Sequence, residues 1–385
     1  MKIGIDACCL ANKRGYGRFT KELLQAILKN DHHNQYILFC DLETSTILDL
    51  EGDYRKVVVK IGKEVNQAAG ANSYRAPLDL LRMTKAVLQE DLDWFYFPST
   101  YSFFPIANRC KVAITIHDTI AENYPQLIFP TRRDRLFWQA KVWLACRQAN
   151  IVFTVSQFAR NSIEKVFSIP REKIHILLEA PAQFFAQHAD IAANPAVINK
   201  VGLQDNDPFY LYVGGINPHK NLQLLIKAFS DKAFSQSKLI LVGDYQNDRF
   251  FSDFETLHSL IRERGLTEQV IFTGYLTDLE LATLYKCALA IILPSFYEGF
   301  GLPAIEAMVS GVPAIVTLNS AIPEIAPDGA LYFAPEDGEG LKNAMYSLLT
   351  DSSLRKQIAE KGSAYAKKLS WDTTAQTFLQ VLANK

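Results

Sequence analysis

The sequence predicts an α/β protein made of two doubly wound parallel sheets. Three observations carry this. Short apolar runs alternate with segments of helical period along the whole chain. The alternation breaks at a polar, proline-bearing stretch, residues 180–208, and then restarts. At 385 residues the chain is also longer than one ordinary domain. The expected layout is a first Rossmann-like domain over 1–185, a linker over 186–207, a second such domain over 208–370, and a last helix over 371–385.

In the first half, strands are expected at Ile3–Ala7, Tyr36–Cys40, Val57–Ile61, Trp94–Phe97, Val112–Ile116, Ile151–Val155 and Lys173–Leu178. Helical spacing puts Phe19, Leu23, Leu24, Ile27 and Leu28 on one side, and Pro77–Leu88 and Arg132–Gln148 read as helices. Ser156 reads as the N-cap of a helix ending near Phe167. After the break, strands are expected at Phe209–Val213, Leu239–Val242, Val270–Phe272, Ala288–Leu293, Ala314–Thr317 and Leu331–Phe333. Helices are expected at Leu222–Phe229, up to about Arg264, at Leu279–Lys286 behind a capping Asp278, and from about Trp371 to Leu382. Two such units in succession make a cleft between domains the expected ligand site.

Composition narrows the function. Hydrophobic residues at 49% and charged residues at 21% describe a globular protein. A net charge of −1 gives no global field for nucleic acid. No apolar run is long enough to span a bilayer, and the first residues read as a strand rather than a signal peptide. The six cysteines show neither zinc spacing nor a dense framework, so reduced thiols in a cytoplasmic protein are expected, with Cys8-Cys9 as packing.

The chemistry concentrates in Pro294-Ser295-Phe296-Tyr297-Glu298-Gly299-Phe300-Gly301-Leu302-Pro303-Ala304-Ile305-Glu306. An apolar strand runs into a glycine loop, and Pro303 sits where a helix tolerates it best, in the first turn. Backbone N–H groups and the positive end of the helix dipole meet there, which suits an anion. Glu298 and Glu306, eight residues apart, flank that point. Carboxylates only accept hydrogen bonds, so their natural partners are hydroxyls. A nucleotide diphosphate joined to a sugar satisfies both features. The bland alternative is a solvated Glu pair around an ordinary turn.

Other strings point the same way. In Gly15-Tyr16-Gly17-Arg18 a dinucleotide fingerprint fails, because Thr20 stands in place of the third glycine. The string reads as a loop leading into a helix at Phe19, either a plain turn or one approaching a diphosphate or acceptor. His117 closes Val112-Ala113-Ile114-Thr115-Ile116-His117-Asp118, at the carboxyl end of a buried strand where functional residues collect. It could bond a sugar hydroxyl, or simply pair with Asp118. Lys220 in Tyr212-Val213-Gly214-Gly215-Ile216-Asn217-Pro218-His219-Lys220-Asn221 stands at a helix start, a poor place for a cation unless a diphosphate binds there. Otherwise it is a solvated surface lysine. The Arg132–Gln148 helix mixes Arg132, Arg133, Arg135, Lys141 and Arg147 with Leu136, Phe137, Trp138, Val142 and Trp143. It reads either as a core-packed helix with a basic outer face or as a contact for an anionic membrane. No metal-ligand cluster stands out, and Asp6 lacks an Asp-x-Asp partner.

The two glutamates and the loop between them resemble the Glu-x7-Glu motif of retaining glycosyltransferases with the two-domain GT-B fold, glycosyltransferase family 4 in particular. The glycine string, the His-Asp pair and the Pro-His-Lys-Asn turn follow that family's order, so the resemblance spans nearly the whole chain. It implies two Rossmann-like domains facing across a cleft, with the last helix crossing back to the first. It implies a nucleotide diphosphate sugar as donor, no cofactor and no metal, and a glycan or lipid-linked acceptor on the first domain. The wording around His117 and Lys220 is most similar to mannosyltransferases using GDP-mannose. By the same resemblance His117, Glu298 and Lys220 carry catalysis: His117 lies near the transferred sugar, Lys220 contacts the phosphates and Glu298 holds sugar hydroxyls. Gly15, Gly17, Gly215, His219, Gly299, Phe300, Gly301 and Leu302 line the donor, and Glu306 takes the ribose hydroxyls. One departure stands out: many members carry Arg where this chain has Gly215, which leaves His219 or Arg18 as the second positive group. A nucleotide-sugar epimerase or a non-catalytic binding partner are the rival readings. Location is expected in the cytoplasm, with contact to the inner face of the plasma membrane through Arg132–Arg147.

Overall fold

The apolar runs pair into two all-parallel sheets, seven strands in one and six in the other. The computed structural model describes residues 1–12, 15–62, 76–107, 109–189, 191–204, 207–245 and 252–385. One unit takes Met1–Glu179 with Ser370–Lys385, the other Ala180–Leu369.

The first sheet holds β1 (Lys2–Asp6), β2 (Gln35–Cys40), β3 (Arg55–Val58), β4 (Trp94–Phe97), β5 (Lys111–Thr115), β6 (Ile151–Thr154) and β7 (Ile174–Ile176), in the order β3-β2-β1-β4-β5-β6-β7. Register is set by apolar pairs, Ile3 opposite Tyr36 on one side and opposite Trp94 on the other. The second sheet holds β8 (Phe209–Val213), β9 (Lys238–Val242), β10 (Val270–Gly274), β11 (Ala290–Leu293), β12 (Ala314–Thr317) and β13 (Ala330–Phe333), in the order β10-β9-β8-β11-β12-β13. Each chain path runs outward from a central strand, returns, and reverses beside it. The switch points are therefore β1/β4 and β8/β11, where doubly wound sheets open a crevice at their carboxyl ends.

The central strands are buried along their length, as strands covered on both faces must be. The Trp371–Ala383 helix packs with the Gly15–Asn30 helix in the first unit. Its Phe378 meets Tyr96 at 4.7 Å and Phe153 at 5.3 Å, and Thr374 Oγ1 donates to Leu178 O at 2.5 Å. Burying one such ring stabilises by about 1.5–3 kcal/mol.

Several elements differ from the sequence reading. The first helix begins at Gly15, not Phe19, so Gly15 and Gly17 are helical rather than in a loop. Edge strand β3 lies two residues early, because its pairing with Ile37–Cys40 fixes register where its own half-exposed side chains do not. Thr277, not Asp278, caps the Asp278–Cys287 helix, in a capping box with Glu280. The stretch 186–207, read as a linker, contains the Pro195–Lys200 helix and the end of Gln183–Gln187, with Val197, Ile198 and Val201 buried. Residues 190 and 205–206 of that stretch lie outside those described. On the Arg132–Gln148 helix Val142 and Ala145 turn inward, while Leu136, Phe137 and Trp143 face solvent.

Candidate active site

In the second unit, two strand-to-helix turns flank the β8/β11 switch point. After β11 the chain reaches Gly301 in a left-handed conformation (φ 97°), the N-cap of the Leu302–Val309 helix. A side chain there would be strained, and its Cβ would press Ile322 at 3.1 Å. Pro303 occupies the first turn as the sequence indicates. Phe300 and Leu302 are buried and hold the loop down, and Glu306 is 2% exposed one turn into the helix.

After β8 the chain forms a short 3-10 turn, Pro218–Lys220, that ends on Asn221 with φ 56°. Asn tolerates that region because its side chain bonds locally. Here it bonds across: Asn221 Nδ2 donates to Pro294 O at 3.1 Å and to Pro335 O at 2.7 Å. Phe296 N–H donates to His219 O at 3.0 Å. Asn319 Nδ2 donates to Phe296 O at 3.2 Å, while Glu298 N–H donates to Asn319 O at 3.0 Å. The two turns are thus stitched into one surface.

That stitching brings Lys220 and Glu298 together. Lys220 Nζ donates to both carboxylate oxygens, at 2.9 and 3.2 Å, with the side chains only 20% and 17% exposed. Lys220 is therefore not a solvated surface lysine. The pair is neutral as it stands. An anion arriving at the helix start would draw on the ammonium, and hydroxyls would take up the carboxylate's lone pairs. Beside it, Gly215 O accepts from Tyr212 Oη at 2.7 Å. Gly243 is required by packing, since a Cβ there would lie 2.0 Å from Gly214 O.

In the first unit, His117 follows β5. Its Nε2 donates to Pro98 O at 2.8 Å, and its Nδ1 lies 3.6 Å from Glu179 Oε1. Its ring meets Phe19 edge-on at 4.7 Å, and Phe19 meets Trp371 at 5.7 Å. The pairing with Asp118 does not form; Asp118 Oδ1 instead accepts from Ile120 N–H at 3.0 Å. Gly17 is set by packing, because a Cβ would fall 1.7 Å from Asn12 O, whereas the space around Gly15 is open. Arg18 lies in the first turn of that same helix.

Elsewhere in the first unit, Tyr16 stacks on Tyr101 at 5.1 Å, and Tyr101 meets Trp138 at 5.0 Å. Trp138 Nε1 donates to Glu122 Oε1 at 2.7 Å. Burial pushes the Glu122 carboxyl up to about 7, against the Trp138 hydrogen bond and with help from Asp118. No group of His, Cys, Asp or Glu spaced to hold a metal occurs among the described residues.

Sequence reasoning missed Asn221, Asn319, Glu179 and Pro98 as parts of these constellations. Asn221 had a signal of its own, since Asn is among the few residue types that visit left-handed backbone, here at the end of the 3-10 turn. Glu179 and Pro98 had none, since their partner His117 is remote in sequence.

Similarity to known proteins covers both units. The model of glycosyl transferases group 1 matches residues 194–365, and that of glycosyltransferase family 4 matches residues 13–178. The O-antigen chain mannosyltransferase B of Escherichia coli is 31% identical over 280 residues, 71% of each chain. The serotype-specific mannosyltransferase WbdA of Escherichia coli is 26% identical across 95% of this chain, which corresponds to 46% of that protein. The crystal structure of Anabaena Alr3699/HepE in complex with UDP-glucose overlays the whole chain, and all of that one, with a TM-score of 0.72 at 20% identity. At that identity the likeness is one of fold, the GT-B fold. By motif order, by fold and by relatedness, this chain belongs to glycosyltransferase family 4.

Proposed function

We propose that this glycosyltransferase moves a mannosyl group from a nucleotide diphosphate sugar, GDP-mannose first, to a glycan or lipid-linked acceptor. The carrying observation is the Lys220–Glu298 pair held at the Gly301 helix start. As the bond from the anomeric carbon to the diphosphate breaks, negative charge grows on the leaving phosphate. Lys220 and the amides near Gly299 and Gly301 would stabilise it without a metal. Glu298, released from Lys220, would hold sugar hydroxyls, and Glu306 the ribose. His117 would touch the sugar near the reacting carbon. The acceptor oxygen bonds that carbon on the face the diphosphate leaves, so configuration is retained, and its proton passes to the departing phosphate. No cofactor beyond the donor enters.

Mannose as the transferred sugar is supported by the names of two relatives, each a mannosyltransferase. A nucleotide sugar as donor is supported by the UDP-glucose bound to a protein of the same fold. The reading puts the enzyme in the cytoplasm, at the inner membrane face when the acceptor is lipid-linked.

The test is product analysis by mass spectrometry. GDP-mannose should give a mannosylated product only when a glycan or lipid-linked acceptor is present, in EDTA as well as in buffer, and with α configuration by NMR. Donor rearrangement without acceptor would mean an epimerase. Tight donor binding without turnover on any acceptor would mean a binding partner. Loss of all turnover in EDTA, restored by Mg²⁺ or Mn²⁺, would overturn the metal-free step.

A further inference from the structure

In the second unit, the Ser352–Ala366 helix turns one face toward the amino ends of two strands. Opposite it stand Ala288, just before β11, and residues 311–313, just before β12. The two walls border a groove of about 710 Å³. The switch-point turns leave the other ends of these strands, so a strand's length, about 13 Å for four residues, separates the groove from them. The helical wall is fixed in place. A Cβ on Gly362 would fall 2.8 Å from Gly329 O and 3.0 Å from Met308 Cγ, so the helix is seated at backbone distance.

The lining is basic. Lys286, Arg355, Lys356 and Lys367 border the groove, against one carboxylate, Glu360. Lys356 lies 3.8 Å from Glu360 with both side chains mostly exposed, which makes a weak pair. Arg355 is steadied through one nitrogen, which donates to Leu348 O at 2.7 Å. Among the described residues, the ammonium groups of Lys286 and Lys367 enter no hydrogen bond or ion pair. Arg355 and Lys356 also stand early in a helix whose first turn holds no acidic residue. The helix dipole disfavours cations there, and a bound anion would reverse that effect. The rest of the lining is small, alanine and glycine, with the hydroxyls of Ser352 and Ser363 among them.

We propose that this groove binds a small phosphate monoester with a hydroxyl-bearing body, a phosphorylated sugar or polyol. The phosphate takes the cations, which form charge-assisted hydrogen bonds to it. Glu360 and the two serines then serve the hydroxyls, the carboxylate as acceptor and the serines as donor or acceptor. Other anions fit less well. The lining holds no aromatic side chain, so a nucleobase finds nothing to stack on. Val312 and Pro313, its largest apolar residues, are buried, so an acyl chain finds no surface to lie on.

Calorimetry on the full chain decides the matter, and it needs neither donor nor acceptor, so it stands apart from the transfer reaction. Mannose 6-phosphate should bind and mannose should not. Inorganic phosphate should bind at least about tenfold more weakly than mannose 6-phosphate, for want of the hydroxyl contacts. Lys286→Gln with Lys367→Gln should weaken mannose 6-phosphate by at least about tenfold. The melting temperature should hold, since neither ammonium has a partner to lose. Glu360→Ala should weaken mannose 6-phosphate while inorganic phosphate binds as well as before or better. Lys220→Ala should leave all of these values unchanged. The proposal is overturned if mannose 6-phosphate does not bind, or if its binding survives the double lysine change and disappears with Lys220→Ala. It is also overturned if a Glu-rich peptide binds more tightly than mannose 6-phosphate and loses that binding in the double lysine variant, which would make the groove a protein contact.

Discussion

The two units build their candidate sites in different ways. In the second, Lys220, Glu298 and Gly301 lie on two strand-to-helix turns beside one switch point, and Glu306 lies one turn into the helix that follows. Each turn leaves a buried strand, and bonds between the turns do the rest. In the first, the posture of His117 depends on Pro98, Glu179 and Phe19, brought from three separate parts of the chain. The lesson is that an anion site can be written locally, through strand, glycine and helix start. A site that orients an imidazole ring needs tertiary packing. The predictions press on that contrast.

The largest effect should come from Lys220→Ala. A charge-assisted contact to phosphate is worth about 1.5–3 kcal/mol. Because it strengthens as the diphosphate departs, kcat should fall by about ten- to a hundredfold. The ion pair adds a stability consequence. Removing the cation leaves Glu298, 17% exposed, without its partner, so stability should drop by about 1–2 kcal/mol, between surface and buried pairs. Lys220→Arg should recover part of the rate, since a planar fork does not replace a compact ammonium. An unchanged kcat with an unchanged or higher melting temperature would mean the phosphate site is misplaced.

Next in size is the division of labour between the glutamates. Glu306→Ala should weaken free nucleotide diphosphate by about tenfold, the equivalent of about 1.4 kcal/mol. Glu298→Ala should leave that binding nearly intact and slow transfer instead. Calorimetry on both variants reads this directly, and equal losses would merge the two roles.

This contrast also marks what the sequence could reveal. The strand before Pro294, the turn at Gly301 and the helix after it are each recognisable alone, because local sterics dictate them. The switch points were not legible, because which strands become neighbours is set by tertiary pairing rather than by the order of apolar runs. The Lys220–Glu298 pair was not legible as a pair: its residues stand 78 apart, and Asn221 and Asn319 align them through long-range bonds. Nor was the inward turn of Trp138 against the outward turn of Trp143, since both are aromatic residues on one helix and only its rotation separates them. Helix starts were uncertain where glycines precede them, as at Gly15, whose propensity argues against a helix that tertiary packing enforces.

A smaller effect should test how the first unit holds His117. Glu179 is buried and its Oε1 lies 3.6 Å from Nδ1, which would make it a positioning residue for the ring. Glu179→Ala should lower kcat/KM by about tenfold, and Glu179→Gln, which keeps a polar side chain of the same size, by less. In a His117→Ala background the same change should do almost nothing, because the two act as one unit. Additive losses in that double variant would separate Glu179 from the histidine.

The smallest effect concerns the packing around Trp138 in the first unit and appears only as a function of pH. The Glu122 carboxyl is raised to about 7, chiefly by burial, while Trp138 Nε1 donates to it at 2.7 Å. A raised folded value means the native state holds the proton more tightly than the unfolded chain, whose glutamates titrate near about 4.3. The stabilisation is therefore complete below that unfolded value and is lost as pH rises through about 7. Glu122→Gln has no such proton to lose, and its amide oxygen can still accept from Trp138. Its melting temperature should match the parent near the acid end of this window. By about pH 8 it should exceed the parent by the equivalent of about 1–2 kcal/mol. Because the partner of the carboxylate is Trp138 and not His117, kcat at neutral pH should change less than with Glu179→Ala. A melting-temperature difference that stays flat from acid to alkaline pH would show that Glu122 is solvated. The column around Trp138 would then be looser than its ring contacts indicate.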